Sequence, residues 1–406
     1  MRKNISQTSA ARGFSLVELM VALLIGLIIS IGVVQIFGAT RATYQLDESL
    51  ARAQENGRFA LEFLHQDIRH AGYAGCKRDT TVAVFNNLAS SVAAGLFITG
   101  ISGAEYNAQP TGFGDPYTLL PTPANTTAGW VPTLTGVTGS LLGTPDGALP
   151  GTDVIALQRM VPNSWALVAP FVNPDNVFID PNPPSVNSIS SVTKAVTNKE
   201  VLLVADCRSA VAFIPTDITP TGVISHTVST TTNRCARWTG GLDTANAAAA
   251  ACAAAFDYDG VPSTTTIGKL ETVVFFVAND IASGVNQPTL YRRTIPATGV
   301  VNPADTVALV EGVENFQVLY GVDSGLPADG AADSYVTANN VANFAQVVSV
   351  QIGLLVYGVN ATGTANDTAF DTDIHDVAGA LITPAVNSTR KRRVFNTTIQ
   401  LRNRSF

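Results

Sequence analysis

The sequence predicts an α+β fold in which one long N-terminal helix packs on an antiparallel β-sheet that forms most of a globular head. Three observations predict it. An apolar run occupies residues 14–39, an amphipathic helical pattern continues it to about residue 71, and the chain from residue 76 has short strand-like runs rich in Ser, Thr, Gly, Pro and Asn. Strands and helices do not alternate as they do in proteins with a parallel sheet.

Composition narrows the possible functions. Of the 406 residues, 46% are apolar and 14% are charged, which excludes a wholly disordered chain. The 24 basic and 31 acidic side chains give a net charge of −7, whereas a nucleic-acid-binding protein presents a basic face. No nucleic acid contact is therefore expected. At roughly 150 residues per domain, the length allows about two domains or one large one.

The apolar run at 14–39 is long enough to cross a membrane. As a helix, its 26 residues would span a bilayer core of about 30 Å, and the leader before it contains Arg2, Lys3 and Arg12. An ordinary secretory signal peptide has an apolar region of only about 7–15 residues. A plain membrane anchor explains the length and the basic flank. It does not explain Glu18, because a carboxylate in an apolar membrane helix is costly and usually functional.

The amphipathic pattern predicts that the same helix continues beyond the membrane. Apolar or small residues recur at alternating spacings of four and three, at Leu46, Leu50, Ala53, Gly57, Ala60 and Leu64. No proline occurs in residues 1–109, and Gly72 and Gly75 supply a stop. A helix from about residue 14 to about residue 71 would be roughly 85 Å long.

A row of small residues in the apolar half is a candidate helix-packing face. Ala22, Gly26 and Ser30 are spaced four residues apart, and such rows let membrane helices approach one another closely. The alternative is that the row reflects only the high frequency of small residues in membrane helices. The sequence by itself leaves both interpretations open.

The head is predicted to consist mainly of β-strands. Strand-like runs lie at 153–158, 200–205, 270–278, 289–293, 307–320, 345–357 and 393–401. The last run alternates most regularly, with Phe395, Thr397 and Ile399 on one face and polar side chains on the other.

The four cysteines are predicted to form two disulfides. Cys76, Cys207, Cys235 and Cys252 allow three pairings, and a translocated head would meet an oxidising compartment. We favour Cys76–Cys207 with Cys235–Cys252, since the last two are close in sequence and can close a local loop. A zinc site is disfavoured because there is no C-x-x-C and no histidine at ligand spacing.

No catalytic constellation is recognisable in the sequence. The nucleophile elbow G-x-S-x-G, the P-loop, H-E-x-x-H and the Rossmann glycine pattern are all missing. We therefore expect a protein that is not an enzyme, with no catalytic residues and no cofactor. His65 and His70 are interpreted as packing or surface residues, because their spacing of five does not put them on one helix face.

The motif RGFSLVE at residues 12–18 resembles the class III signal of type IV prepilins. The resemblance implies that a prepilin peptidase cuts between Gly13 and Phe14 and methylates the new amino group of Phe14. It also implies that Glu18 pairs with the buried amine of a neighbouring subunit, which would offset the cost of desolvating that amine. The chain then divides into a leader (1–13), a transmembrane half of the helix (14–39), an amphipathic half (40–75) and a periplasmic head (76–406).

Four further segments resemble the PilW family of minor pilins, which is similar to the J-type pseudopilins of type II secretion. They are QENGRFALEFLHQDIRHAGYAGC at 54–76, LYRR at 290–293, VEGVENFQVLYGVD at 310–323 and RRVFNTTIQLRNR at 392–404. The resemblance is weaker over roughly 80–150 and 160–260. It implies a pilin-like fold and a structural subunit that helps prime pilus biogenesis and lies at or near the pilus tip.

Three charged regions remain as secondary candidates. The family resemblance suggests an acidic calcium loop after YGVD, but Asp323, Asp329 and Asp333 depart from the usual ligand spacing and are weak candidates. They and the cluster at 367–376 are more simply interpreted as solvated acidic turns. Residues 390–406 hold six bases and no acid, which suits either a solvated strand or an electrostatic docking edge.

The resemblance also implies partners and a location. The expected partners are other minor pilins, the major pilin, the prepilin peptidase, the inner-membrane assembly platform and inner-membrane lipid, with a tip adhesin as a further candidate. The expected location is the inner membrane with a periplasmic head, and then the pilus on the cell surface. The alternatives are a J-like pseudopilin of a type II secretion system and a pilus-borne adhesin or ligand-binding head, which exposed aromatic side chains in the variable region would favour.

Overall fold

A computed structural model describes residues 15–75, 85–88, 100–106, 117–119, 129–131, 147–161, 165–172, 176–179, 200–206, 210–229, 233–235, 265–279, 287–295, 305–325, 327–358, 375, 377, 379–383 and 391–403. All structural statements below concern these residues. Outside them lie the predicted cleavage site at Gly13 and Phe14, the cysteines at 76, 207 and 252, and the four aspartates of the 367–376 cluster.

A single helix, α1 (Leu16–Arg69), runs without a break through 54 residues. Ser15 precedes it in an extended conformation, and Gly72 and Gly75 follow it with φ angles of 76° and 70°. These left-handed conformations suit glycine and end the helix where the sequence predicts a stop. The prediction of one continuous N-terminal helix is confirmed.

The two halves of α1 have different environments. Its most apolar 18-residue window has a mean hydropathy of 2.7 and no buried residue, so by length and composition it can cross a membrane. Burial begins in the second half, and its buried residues are Ser49, Ala53, Gly57, Ala60, Leu64, Asp67 and Ile68. Their spacing reproduces most of the predicted heptad-like seam.

The remaining elements are strands and two short 3₁₀ turns, Ala338–Asn340 and Phe344–Gln346. The strands are β1 (Phe85–Asn86), β2 (Ile101–Tyr106), β3 (Tyr117–Thr118), β4 (Trp130–Val131), β5 (Val154–Met160), β6 (Trp165–Val172), β7 (Asn176–Ile179), β8 (Leu202–Ala205), β9 (Ala210–Phe213), β10 (Asp217–Ile218), β11 (Val223–Ser225), β12 (Thr266–Asn279), β13 (Pro288–Ile295), β14 (Thr306–Glu311), β15 (Val313–Val322), β16 (Ser334–Val336), β17 (Val347–Tyr357), β18 (Ile382–Thr383) and β19 (Arg392–Gln400).

The described strands form two main sheets, which are almost entirely antiparallel. The larger sheet has 13 strands, and its longest strand, β12, pairs with β5 and β13 along one part and with β6 and β8 along another. The smaller sheet has the order β16-β15-β17-β19. Only β1–β9 and β3–β18 pair in parallel, over two residues each. The predicted α+β, pilin-like fold of one long helix on an antiparallel sheet is confirmed.

One predicted strand is wrong in its extent. The run at 307–320 is not continuous, because it divides into β14 and β15 at Gly312. Gly312 has a φ of 81°, and its N–H donates to the carbonyl of Pro288. The two strands then join different sheets, since β14 pairs with β13 and β15 pairs with β17. Alternation alone could not reveal this turn, because both halves are apolar enough to be strands.

The main core lies between α1 and both sheets. Apolar side chains from the helix meet side chains from the larger sheet and from the smaller sheet in one cluster, which includes Ala60, Leu64, Ile68, Phe275, Leu290, Phe316 and Ile352. Strands β6–β9 and β11 contribute to separate clusters farther along the larger sheet. The second half of α1 is therefore an integral part of the head.

Candidate assembly site: the exposed helix and its joint with the sheets

The first half of α1 presents apolar side chains to its surroundings on every side. Large apolar residues from Leu16 to Phe37 are exposed, with 74% of Leu16 and 72% of Phe37 accessible. The Ser30 hydroxyl donates to the carbonyl of Gly26 at 2.8 Å, and a Cβ at Gly26 would meet nothing within 4 Å. A second helix could therefore approach the row of Ala22, Gly26 and Ser30 closely, because no polar group there needs water.

Glu18 lies in the first turn of the exposed half. Its Oε2 accepts a hydrogen bond from the backbone N–H of Ser15 at 3.0 Å. This bond satisfies one of the donors that a helix N-terminus leaves unpaired, and a negative charge there is favoured by the helix dipole. The carboxylate is thus held beside Ser15, the second residue after the predicted scissile bond.

The second half of α1 is joined to the smaller sheet at Gly57. A Cβ at this position would lie 2.5 Å from both Cδ2 and Cζ of the Phe395 ring on β19. The helix and the strand can approach this closely only because residue 57 has no side chain. One residue earlier on the helix, the Asn56 Nδ2 donates a hydrogen bond to the carbonyl of Glu311 at 3.0 Å. This bond joins the helix to β14 as well.

We expect Gly57→Ala to destabilise the head by about 1–3 kcal/mol, because the new methyl group overpacks against an aromatic ring held in the sheet. This should outweigh the gain in helix propensity of at most about 1 kcal/mol. Urea unfolding of the full chain in detergent micelles, followed by tryptophan fluorescence, measures the difference. Gly38→Ala is the matched control, since a Cβ at Gly38 meets nothing within 4 Å. Equal stability of the two variants would contradict the proposed contact, and adding Phe395→Leu should relieve the Gly57→Ala defect.

The end of α1 is fastened to the larger sheet by four charged side chains. Asp67 accepts from Arg159 on β5 at 2.9 Å and from Arg292 on β13 at 2.8 Å. Glu271 on β12 lies 3.4 Å and 3.5 Å from the same two guanidinium groups. Burial alone would lower the pKa of the Arg292 guanidinium, but the hydrogen bond to Asp67 and the charges of Asp67 and Glu271 raise it above its ordinary value. Arg292 therefore remains charged in this half-buried position.

A second ion pair connects strands within the smaller sheet. Arg392 on β19 contacts Glu314 on β15 through two nitrogens, with Nε–Oε2 at 2.5 Å and the second bond at 3.1 Å. Only 1% of the Arg392 side chain is exposed. A bidentate ion pair is both strong and specific in its geometry. It therefore fixes the relative position of the two strands.

The four segments that resemble the PilW family meet at these contacts. Asp67 belongs to the segment 54–76 and Arg292 to LYRR, and they are joined at 2.8 Å. Glu314 belongs to the segment 310–323 and Arg392 to the segment 392–404. Sequence reasoning identified the segments but missed these four side chains as partners. The sequence signal that could have revealed them is the presence of charged residues within otherwise apolar helical and strand patterns.

The acidic turn after YGVD is held together by its own carboxylates. Asp333 Oδ2 accepts from the backbone N–H groups of Ser324 and Gly325, each at 2.8 Å, and the first of these bonds contributes most to lowering the pKa of the Asp333 carboxyl. Asp323 accepts from the N–H of Gly330 at 2.8 Å, and Asp329 from that of Ala331 at 2.9 Å. Across the described ranges, no three His, Cys, Asp or Glu side chains are grouped as a metal site.

Cys235 is buried and disulfide-bonded. Its N–H donates to Asn87 Oδ1 at 2.8 Å, and Asn87 Nδ2 donates to its carbonyl at 3.1 Å. Two residues earlier, Asn233 exchanges two hydrogen bonds of 2.8 Å with the backbone of Ile214, just beyond β9. These bonds fix Cys235 beside the end of β9. The sulfur that it binds belongs to a cysteine outside the described residues.

Comparisons with known proteins identify two regions of the chain. Residues 274–403 match the family described as Type IV Pilus-assembly protein W. Residues 8–34 match the prokaryotic N-terminal methylation motif. No curated protein and no solved structure matches the chain. The first match takes in the end of β12, from residue 274, and all of β13 to β19. Arg292, Glu314, Arg392 and Phe395 lie on these strands.

Proposed function

We propose that this chain, which joins the N-terminal methylation motif of type IV pilins to a PilW family domain, is a minor pilin that helps prime pilus assembly and lies at or near the pilus tip. The observation that carries the proposal is the two-part helix. Its apolar half is exposed throughout, while its second half is built into the core of the head. Such a helix can leave the bilayer for a bundle of similar helices without disturbing the head.

We propose a division of the chain that the two-part helix supports in its middle section. Residues 1–13 are removed as a leader, 14–39 hold the protein in the inner membrane, 40–75 form the spine, and 76–406 form the periplasmic head. The proposed partners are the prepilin peptidase and the assembly platform in the membrane, then other minor pilins and the major pilin in the fibre. Helix packing at Ala22, Gly26 and Ser30 and the charge of Glu18 would set the register between subunits.

The role proposed is structural and not enzymatic. A J-like pseudopilin would use the same helix in a different machine, and the match of residues 274–403 favours the pilus. An adhesin would need a recognition face on the head. Among the described residues beyond α1, the large apolar side chains that are exposed are Val131 and Val307, and neither is aromatic. The described surface of the head therefore gives no specific support to ligand binding.

We also propose the disulfides Cys76–Cys207 and Cys235–Cys252. The position of a Cβ on Gly75 lies 3.2 Å from the Cβ of Ala205. The chain is therefore close together one residue before Cys76 and two residues before Cys207. A disulfide requires Cα atoms about 4.4–6.8 Å apart. Cys207 precedes the start of β9 in the sequence. Cys235, in contrast, lies near the other end of β9, because Asn233, two residues before it, is hydrogen-bonded to Ile214.

Peptide mapping under non-reducing conditions should yield one peptide pair linked through Cys76 and Cys207 and another linked through Cys235 and Cys252. Removing the first disulfide should cost more stability than removing the second, because it closes the longer loop. A native disulfide is typically worth about 2–5 kcal/mol. A linked peptide containing Cys76 and Cys252, or unlinked peptides at these positions, would show that the pairing is wrong.

Processing at the leader tests the proposed function most directly. Mass spectrometry of the protein purified from pili should find a methylated Phe14 at the N-terminus. Gly13→Val should leave an uncut precursor in the inner membrane that does not enter pili. Ala11→Val is the matched control, because it changes the leader without changing the predicted scissile bond. Normal incorporation of uncut protein, or an N-terminus within or beyond residues 14–39, would overturn the proposal.

A further inference from the structure

Between its apolar half and its first contact with the head, α1 has a short, mostly polar collar formed by residues 40–45. All six residues are exposed, and the first buried residue of the helix lies beyond them. The hydroxyls of Thr40 and Thr43 donate to the carbonyls four residues earlier, at 2.8 Å and 3.0 Å. Because both hydroxyls are satisfied within the helix, the collar can enter a region that holds little water.

Three exposed side chains at the collar share one face of α1. Phe37, Arg41 and Tyr44 are spaced four and three residues apart, which places them one above another on the helix. Phe37 is 72% exposed, Tyr44 is 70% exposed, and Arg41 is exposed between them. The buried Ala53 lies nine residues, or about two and a half turns, beyond Tyr44. The face with the two rings and the guanidinium group therefore points away from the head.

Within the described part of the chain, no side chain neutralises the charge of Arg41. It forms no ion pair with any of these residues. The next acids along α1 are Asp47 and Glu48, six and seven residues on. Glu48 is paired with Arg52 at 2.7 Å, and a spacing of six puts Asp47 on a different face of the helix. Arg41 is thus available to an anion from outside the chain.

Distances along the helix place this face at a membrane surface. Phe37 is 21 residues beyond Leu16, or about 31 Å, which matches a hydrocarbon core of about 30 Å. Arg41 lies about 6 Å farther, within the headgroup layers that bring a bilayer to about 40–45 Å. Helical side chains point back toward the N-terminus of their helix, so the Tyr44 ring extends toward the same level. Tyrosine rings are enriched at this depth because they are apolar with one polar end.

We propose that Arg41, with Phe37 and Tyr44 on either side, binds the phosphate of an anionic phospholipid in the periplasmic leaflet and so fixes the depth of α1 before assembly; the inference rests on the membrane-anchored stage of the proposed function. A guanidinium group matches phosphate in planar, bidentate geometry. A neighbouring apolar helix on this face would instead bury the Arg41 charge without a counter-charge, which is costly. The charge therefore favours a lipid headgroup as the occupant.

A fluorescent reporter within the site tests the proposal. The full chain with Tyr44→Trp is reconstituted in phosphatidylcholine vesicles that contain either brominated phosphatidylglycerol or brominated phosphatidylcholine. The signal of the three native tryptophans, all beyond residue 129, is subtracted with the chain that keeps Tyr44. Quenching should show preferential binding of phosphatidylglycerol, and Arg41→Gln should lower that preference about fivefold. Arg41→Lys should keep most of it, because the charge remains.

Arg58→Gln is the matched control, since Arg58 is an exposed base on the same helix. It lies about 25 Å beyond Arg41, well outside a screening length of about 8 Å in physiological salt, so the preference should not change. Equal quenching by the two brominated lipids, no quenching by either, or equal losses in Arg41→Gln and Arg58→Gln would overturn the proposal.

Cross-linking in the native cell identifies the occupant. In membranes, a photoreactive residue at Tyr44 should attach to phospholipid, and attachment to a protein subunit alone would overturn the proposal. The quenching measurement requires neither processing nor entry into pili, so it reports on the lipid site even if the proposed function is wrong. Conversely, normal processing and incorporation without a preference for phosphatidylglycerol would reject the lipid site and leave the proposed function standing.

Discussion

Replacing Asp67 with alanine is expected to lower the free energy of unfolding by about 3 kcal/mol, the largest loss that a single substitution at the joint should cause. Asp67 is bound by Arg159 at 2.9 Å and by Arg292 at 2.8 Å, and only 12% of its side chain is exposed. Without Asp67, the half-buried Arg159 and Arg292 share Glu271 as their partner. Glu271 lies farther from them than Asp67 does, at 3.4 Å and 3.5 Å. An unpaired buried charge costs more than the original pair contributes.

The measurement is a urea titration of the full chain in detergent micelles. Glu62→Ala is the matched control, because Glu62 is an exposed acid on the same helix. Asp67→Asn should be nearly as damaging as alanine, since an amide keeps the volume but loses the charge. If Asp67→Ala and Glu62→Ala unfold at the same urea concentration, the charged cluster does not hold the helix to the larger sheet.

Replacing Glu18 with valine should abolish most incorporation into pili and leave the head folded. Valine is tolerated in a membrane helix, so the anchor should still insert. The loss of the hydrogen bond from Ser15, 3.0 Å long, should affect only the first turn and cost about 1 kcal/mol of local stability. The assembly defect has a different cause, because the amine of a neighbouring subunit would enter the helix bundle without a counter-charge.

Immunoblots of sheared pili and of membranes measure the two effects separately. Leu19→Val is the matched control, since Leu19 is 57% exposed beside Glu18 and carries no charge. The control should reach pili normally, while Glu18→Val should accumulate in the membrane. Equal amounts of both variants in pili, in a strain without another copy of the gene, would show that the carboxylate has no role in assembly.

Local patterns in the sequence were sufficient for the helix and for many strands. The 3.6-residue period and the absence of proline before residue 110 predict α1, and two glycines predict its end. Both signals act within a few residues of one another, so neighbouring side chains reveal them. The strands β5, β8, β12, β13, β17 and β19 lie close to predicted runs for the same reason. The prepilin and PilW resemblances also depend on short contiguous motifs.

Tertiary structure decided which of these elements touch. The amphipathic helical pattern predicts that Gly57 lies on the packed face of α1. Only the fold shows that the Phe395 ring occupies the space that a side chain at this position would need. Gly103 on β2 is a similar case, because a Cβ there would collide with the hydroxyl group of the buried Tyr320. These contacts join residues hundreds of positions apart. No local period carries information about them.

The sequence by itself determined that this protein has a prepilin-type leader motif, one apolar helix with a lone carboxylate, and a β-rich head. Only the tertiary structure separated 307–320 into β14 and β15 and brought Asp67 to Arg292 and Glu314 to Arg392. The physical reason is that hydrophobic periodicity indicates only which face of its own helix or strand a residue occupies. The choice of partner depends on turns such as Gly312 and on charges whose pairing requires the complete packed arrangement.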